Sequence, residues 1–296
     1  MDYWYELFAQ GLRALPRECL AAMMGVFGLL VGSFLNVVVW RLPRMLEAQW
    51  AREAAAWAGQ PVPVTPVFNL AWPPSQCPRC GSGIRAWQNV PVLSYVWLRG
   101  RCGGCRTGIA LRYPLVELAT GIMFALVAWR FSPSMQYAAM LAWCGFGAAL
   151  LALTLIDADT RLLPDAVTLP LLWVGLLCSV AGVTLPVEDA VLGVALGYGA
   201  MAALAYGHRC LTGDDGLGGG DVKFVAACGA WLGWIGVPLM LVIGAMAATI
   251  AFGLYGLWRG RTLRGPLPFG PWLALGAVVS LLWGDRLLDL WTRTGG

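Results

Sequence analysis

The chain has almost no histidine or lysine: His208 and Lys223 are the sole examples in 296 residues. A multi-histidine metal centre and a nucleophile relay built on histidine are therefore both poorly supported. Charge of either sign is scarce. Only 12% of residues are charged, where a soluble domain carries about 25%. Hydrophobic residues make up 59% and the mean hydropathy is +0.68. This excludes an ordinary soluble domain and predicts an all-α polytopic membrane protein. A cleavable signal peptide is not expected either. Asp2 and Glu6 precede the basic pair Arg13 and Arg17, and the apolar run from Leu20 is long enough to span.

Eight apolar runs can be read along the chain, and the pattern predicts about eight transmembrane helices. The first covers Leu20 to Trp40, preceded by an interfacial segment over residues 2–18 with Tyr3, Trp4, Tyr5 and Phe8. The others fall near Tyr113–Ala128, Met135–Ile156, Ala166–Leu185, Ala190–Tyr206, Val222–Trp234, Val237–Trp258 and Pro266–Trp283. The motif Gly236-Val-Pro238 predicts a tight hairpin between the sixth and seventh. Three regions follow: residues 1–40 with the first span, a polar insert over 41–112, and a seven-helix membrane domain over 113–296. With the insert inside, 15 basic residues lie on the cytoplasmic side and 5 outside. That bias predicts both termini outside and both aspartate loops on the cytoplasmic side. The arginines read as topology signals, and nucleic acid is not an expected partner.

The insert holds nine arginines against Glu47 and Glu53. It also holds Cys77-Pro-Arg-Cys80 and Cys102-Gly-Gly-Cys105, with 21 residues between the pairs. Four cysteines near this spacing suit a structural zinc site with no open position. Redox dithiols or disulfides are the alternatives, and a cytoplasmic location disfavours the latter. Such a metal would fold a lobe too poor in apolar residues to fold alone. The remaining cysteines, Cys19, Cys144, Cys178, Cys210 and Cys228, lie in or beside apolar runs and read as small buried hydrophobes.

Two short polar breaks carry the chemistry. Asp157 opens one, in LTLIDADTRLLPD, and Asp221 closes the other, LTGDDGLGGGDVK. They are 64 residues apart, yet both fall at span ends on the cytoplasmic face. Two carboxyl groups held close share a proton, so one can activate water while the other donates to a carbonyl oxygen. That is the chemistry of peptide hydrolysis without a covalent intermediate. Gly216, Gly218, Gly219 and Gly220 permit close backbone approach before Asp221, where an extended substrate could lie. Taken singly, each aspartate could be a helix cap or a solvated charge. Asp159, Asp165, Asp214 and Asp215 compete for the role. Asp214 and Asp215 sit mid-loop, and Asp165 favours a helix N-terminus. A phosphate-binding loop is excluded, because no Lys-Ser/Thr follows the glycines. A proton-coupled transporter would place its acids mid-span and show repeats between halves. A docking scaffold would leave the paired aspartates without a use.

Together these segments resemble the bifunctional prepilin peptidase family of type IV pili and type II secretion. The resemblance runs in order through GSFLNVVVWRLP, CPRC, CGGC, RYPLVELATG, LIDADTRLLPD and GLGGGDVK, and covers nearly the whole chain. Gly218 with Gly219-Gly220-Asp221 also is similar to the GxGD signature of presenilin-like intramembrane aspartyl proteases. The resemblance implies that Asp157 and Asp221 are catalytic and that Cys77, Cys80, Cys102 and Cys105 bind zinc. It implies a multi-pass enzyme of the bacterial inner membrane and a prepilin or pseudopilin substrate, cut on the cytoplasmic side after the glycine that ends a short basic leader. It further implies methylation of the new N-terminal amine by S-adenosylmethionine. No nucleotide-type glycine fingerprint marks a site for that cofactor. Asn36 and Glu117, both inside apolar runs, are candidates for it. Helix–helix hydrogen bonding is the alternative for Asn36, and a buried hydrogen-bonded acid for Glu117.

Overall fold

A computed structural model describes residues 16–62, 66–131, 137–214, 216, 218–259 and 268–294. The expected interfacial segment lies mostly outside these residues, as does most of the loop over 259–265. The helices are α1 (Arg17–Trp57), α2 (Leu93–Trp97), α3 (Arg112–Phe131), α4 (Tyr137–Thr160), α5 (Asp165–Val180), α6 (Val187–Thr212), α7 (Gly219–Arg259) and α8 (Gly270–Thr294). One 3-10 turn covers Ala86–Asn89. The only extended pairing among the described residues is two isolated antiparallel bridges, so the fold is all-α as expected.

Among the described residues, four helices are long and apolar enough to cross a membrane: Arg17–Trp57, Tyr137–Thr160, Val187–Thr212 and Gly219–Trp258. Asp165–Val180 and Gly270–Gly284 are shorter apolar helices. Every expected run has a helical counterpart, but length and composition alone support fewer than eight spans. The sixth and seventh runs share α7. Its 40 apolar-segment residues would reach about 60 Å at 1.5 Å each, twice a hydrocarbon core of about 30 Å. The helix is interrupted at Gly233, which has φ 68° and ψ 177°. Only glycine holds that conformation readily. The break thus falls three residues before the expected Gly236–Pro238 hairpin, and Pro238 lies inside the second helical arm. A second difference is α1. It continues through Pro43 to Trp57, because the alanine-rich stretch after Trp40 is itself a good helix former.

The chain divides into two compact units, residues 1–148 and 149–296. In the first, α1 packs along α3 with a glycine face. A Cβ on Gly28 would sit 2.7 Å from the Thr120 carbonyl oxygen, and one on Gly32 would sit 2.7 Å from Glu117 Cα. Membrane helices lack a hydrophobic drive toward each other, so small residues that let backbones touch supply the association. Asn36 Nδ2 adds a hydrogen bond to the Tyr113 carbonyl at 3.1 Å. Buried Arg41 donates to the carbonyls of Asn69 at 2.9 Å, Leu70 at 3.4 Å and Pro73 at 2.6 Å. It thereby ties the entry of the insert to α1.

In the second unit, α7 packs against α5, α6 and α8. Gly193 of α6 and Gly229 of α7 meet backbone to backbone, as do α7 and α8 at Gly244 and Gly276. The indole of fully buried Trp231 donates to the Leu171 carbonyl at 2.9 Å. This fixes the first arm of α7, and hence Asp221 at its start, against α5. Cys144 and Cys228 are buried as expected, but Cys19 and Cys210 are exposed. Both sit in a terminal turn of their helix, where fewer neighbours pack.

Candidate active site and metal centre

Asp157 lies in the last turn of α4 and Asp221 is the third residue of α7. Asp157 is 5% exposed, a rare state for an acid unless it has a partner. Its partner is a backbone group. Gly270, the first residue of α8, donates its N–H to Asp157 Oδ2 at 2.9 Å. The carboxylate therefore also meets the positive end of the α8 dipole. A Cβ on Gly270 would lie 2.8 Å from the same oxygen, so the site has room only for glycine.

Asp221 is drawn toward the Asp157 break by three features. Gly220 packs on Leu163, where a Cβ would come within 3.0 Å of the leucine's own Cβ. Lys223 Nζ forms an ion pair with Asp165 Oδ2 at 2.6 Å. Gly218 leaves space beside the Asp221 carboxylate, its own Cβ position being 3.2 Å from Oδ2. The two carboxyl groups thereby stand within Coulombic range of one another, where like charges repel. Arg161, four residues beyond Asp157, adds a positive charge to the field there. The competing aspartates have other surroundings: Asp165 is in the ion pair, and Asp214 is exposed. Asp215 lies outside the described residues. Sequence reading missed Gly270 and Lys223. A glycine that opens an apolar run carries no side-chain signal, whereas the spacing of Asp165 and Lys223 beside the two aspartates could have suggested their pairing.

The four cysteines converge. The sulfurs of Cys77, Cys80, Cys102 and Cys105 all lie within 4.8 Å of one another, and those of Cys77 and Cys105 are 3.8 Å apart. A tetrahedral ion with metal–sulfur bonds of about 2.3 Å needs neighbouring sulfurs about 3.8 Å apart, so the set fits a metal. Each CxxC pair forms the same knuckle. Cys77 N–H donates to the Ser82 carbonyl at 2.9 Å and Cys102 N–H to the Thr107 carbonyl at 2.7 Å. One antiparallel bridge closes each turn, Gln76 with Gly83 and Arg101 with Gly108. The fourth residue after each leading cysteine is left-handed, Gly81 at φ 69° and Arg106 at φ 61°. Hydrogen bonds from the Thr107 hydroxyl and then its N–H pull the Cys105 thiol down to about 6. The N–H groups of Cys105 and Gly104 lower Cys102 as well. Cys105 is therefore a thiolate ready for a cation at neutral pH, whereas the Cys77 thiol is raised.

The candidates for a methyl-donor site are engaged otherwise. Asn36 bonds to α3 as described, and Glu117 Oε2 accepts the Val92 N–H at 2.7 Å, with the Ser33 side chain as a second partner. These bonds tie α1, α3 and the insert together.

Comparison with known proteins gives a consistent picture. Residues 26–131 match the bacterial peptidase A24 N-terminal domain, and residues 144–254 match the type IV leader peptidase family. Among similar proteins, a prepilin leader peptidase/N-methyltransferase of Pseudomonas putida is 46% identical over 88% of this chain and 90% of its own. Its namesake in Pseudomonas aeruginosa is 43% identical over 92% and 93%. Another in Burkholderia pseudomallei is 47% identical over 92% and 88%. No solved structure matches the chain.

Proposed function

Because the chain belongs to the type IV leader peptidase family, we propose that it removes the leader of prepilin-type proteins with Asp157 and Asp221. It then methylates the N-terminal amine it has exposed. The observation that supports the peptidase half is that the two aspartates lie within Coulombic range of one another, one of them buried and held by the Gly270 N–H. In this reading the pair shares one proton. The ionised carboxylate takes a proton from water, the other carboxyl donates to the scissile carbonyl oxygen, and the resulting diol collapses to acid and amine. Water attacks directly, so no acyl-enzyme forms. Both acids stand at helix ends, which fits a substrate whose own helix lies in the bilayer and offers its leader junction at the cytoplasmic surface. Pseudopilins, and a cut after glycine, belong to the same proposal.

The cysteine centre is proposed to bind zinc. Four sulfur ligands favour a soft or borderline tetrahedral ion and leave no position for a reacting water. Its role is then to brace the lobe. S-adenosylmethionine is proposed as the methyl source. Mass spectrometry of a prepilin incubated with the enzyme and this cofactor tests both halves. Loss of the leader and gain of one methyl group on the new terminus are expected. An intact leader would overturn the reading, and cleavage without the methyl group would leave a peptidase alone.

A further inference from the structure

The insert contains a face that does not suit water. Helix α2 places Leu93, Val96 and Trp97 at i, i+3 and i+4, so they share one side. All three are exposed, at 66%, 67% and 79%. Trp87 lies beside Trp97 in a tilted arrangement, ring centroids 6.3 Å apart, and widens the patch. The other side of α2 turns inward. Tyr95 is half-buried and covers Gly100, whose Cβ position would lie 2.8 Å from the tyrosine oxygen. The helix is thus amphipathic in the wrong sense for a soluble lobe.

The depth of α2 follows from two contacts. Val92, its N-terminal neighbour, donates to Glu117. Glu117 in turn lies against Gly32 of α1, whose Cβ position is 2.7 Å from Glu117 Cα. The apolar run of α1 continues from Gly32 for eight more residues, to Trp40. At 1.5 Å per residue that is about 12 Å of helix. The start of α2 is therefore anchored inside the level at which α1 is still apolar. Val92 takes up φ 60°, ψ −50° to reach this anchor, a conformation rare for a β-branched residue.

The charge around the patch is of one sign. Between Glu53 and Glu117 there is no acid at all, while Arg79, Arg85, Arg99, Arg101 and Arg106 are exposed. We propose that α2 with Trp87 is an interfacial element that seats the cysteine lobe in the inner leaflet. Leu93, Val96 and Trp97 enter the upper acyl region, and the flanking arginines meet anionic phospholipid headgroups. Apolar and aromatic side chains beside basic residues form the pattern of helices that lie in a membrane surface. The inference depends on the membrane placement of α1 and α3, and is independent of the peptidase assignment.

Photo-crosslinking of the full chain in vesicles tests it. Leu93, Val96 and Trp97 are replaced one at a time by p-benzoylphenylalanine, with Leu30 of α1 as the lipid-facing reference and Gln60 as the aqueous one. Size-exclusion elution identical to the unsubstituted protein serves as the folding check, and three positions guard against the failure of one. Phospholipid adducts at Val96 and Trp97 in yields near that of Leu30, with none at Gln60, are expected. Yields should be several-fold higher in phosphatidylcholine–phosphatidylglycerol vesicles than in phosphatidylcholine alone. Absence of lipid adducts at all three positions, or adducts to a prepilin or a second copy instead, would overturn the proposal. Equal yields in both vesicle types would overturn the part given to the arginines.

Discussion

Gly270 donates its backbone N–H to Asp157 Oδ2 at 2.9 Å across 113 residues of chain. The first peptide of α8 thereby holds a carboxylate at the end of α4. The contact leaves no space for a side chain, since a Cβ on Gly270 would come to 2.8 Å from that oxygen. Gly270→Ala must move either the helix or the acid. A displacement of about 1 Å at a reacting group costs on the order of 100-fold in rate. We expect prepilin cleavage to fall about 10- to 100-fold while the protein still folds. A variant that cleaves at the original rate would remove Gly270 from the site.

The Lys223–Asp165 pair is also short, at 2.6 Å, but its side chains are 41% and 51% exposed. An ion pair so open to solvent contributes about 0–1 kcal/mol. Asp165→Asn should therefore leave cleavage nearly intact and lower the thermal midpoint in detergent slightly. A large loss of activity with unchanged stability would promote Asp165 from brace to active-site group.

Gly233 holds φ 68° and ψ 177° between the two arms of α7. A residue with a Cβ is strained there by about 1–3 kcal/mol. Gly233→Ala should lower stability by that amount, read as a shifted thermal or detergent-denaturation midpoint. A neutral effect would mean that the break does not need glycine.

The cysteine lobe should lose about one equivalent of metal when Cys77 or Cys102 becomes serine, because a tetrahedral site does not survive on three ligands of this kind. Acid acts in the same direction. Cys105, held down to about 6, is a thiolate above that pH and a thiol below it, and protons compete with the cation for it. Metal release, followed with a coloured chelator, should be small at neutral pH and set in only below about 6, because a bound cation holds the thiolate against protons. Unchanged metal content in the serine variants would count against the site.

Which parts of this arrangement could be read in advance follows from how much each residue type reveals. Asp157 and Asp221 each have a bland reading as a helix cap or a solvated charge, and only the pair at matching span ends points to chemistry. Four cysteines in two CxxC pairs announce a metal by spacing. Their partners did not show themselves. Gly270 acts through its backbone, and Leu163 through shape. The break in α7 was expected at Gly236-Val-Pro238, where the strongest local signal lies, and it occurs at Gly233, because α7 carries Pro238 within its second arm. The length of α1 beyond the first span was hidden for the opposite reason. Arg41 and Pro43 look like a stop after Trp40, but Arg41 is buried against three carbonyls and the alanines beyond it continue the helix.

The central claim is that Asp157 and Asp221 work as one unit. Its most direct test is the rate of prepilin cleavage in membranes by Asp157→Asn and Asp221→Asn, each alone, beside Asp214→Asn. Loss of a general acid or base costs about 100- to 10,000-fold. Each of the first two variants should fall by that much, with Asp214→Asn close to the unmodified enzyme. Normal cleavage by either Asp157→Asn or Asp221→Asn would contradict the account.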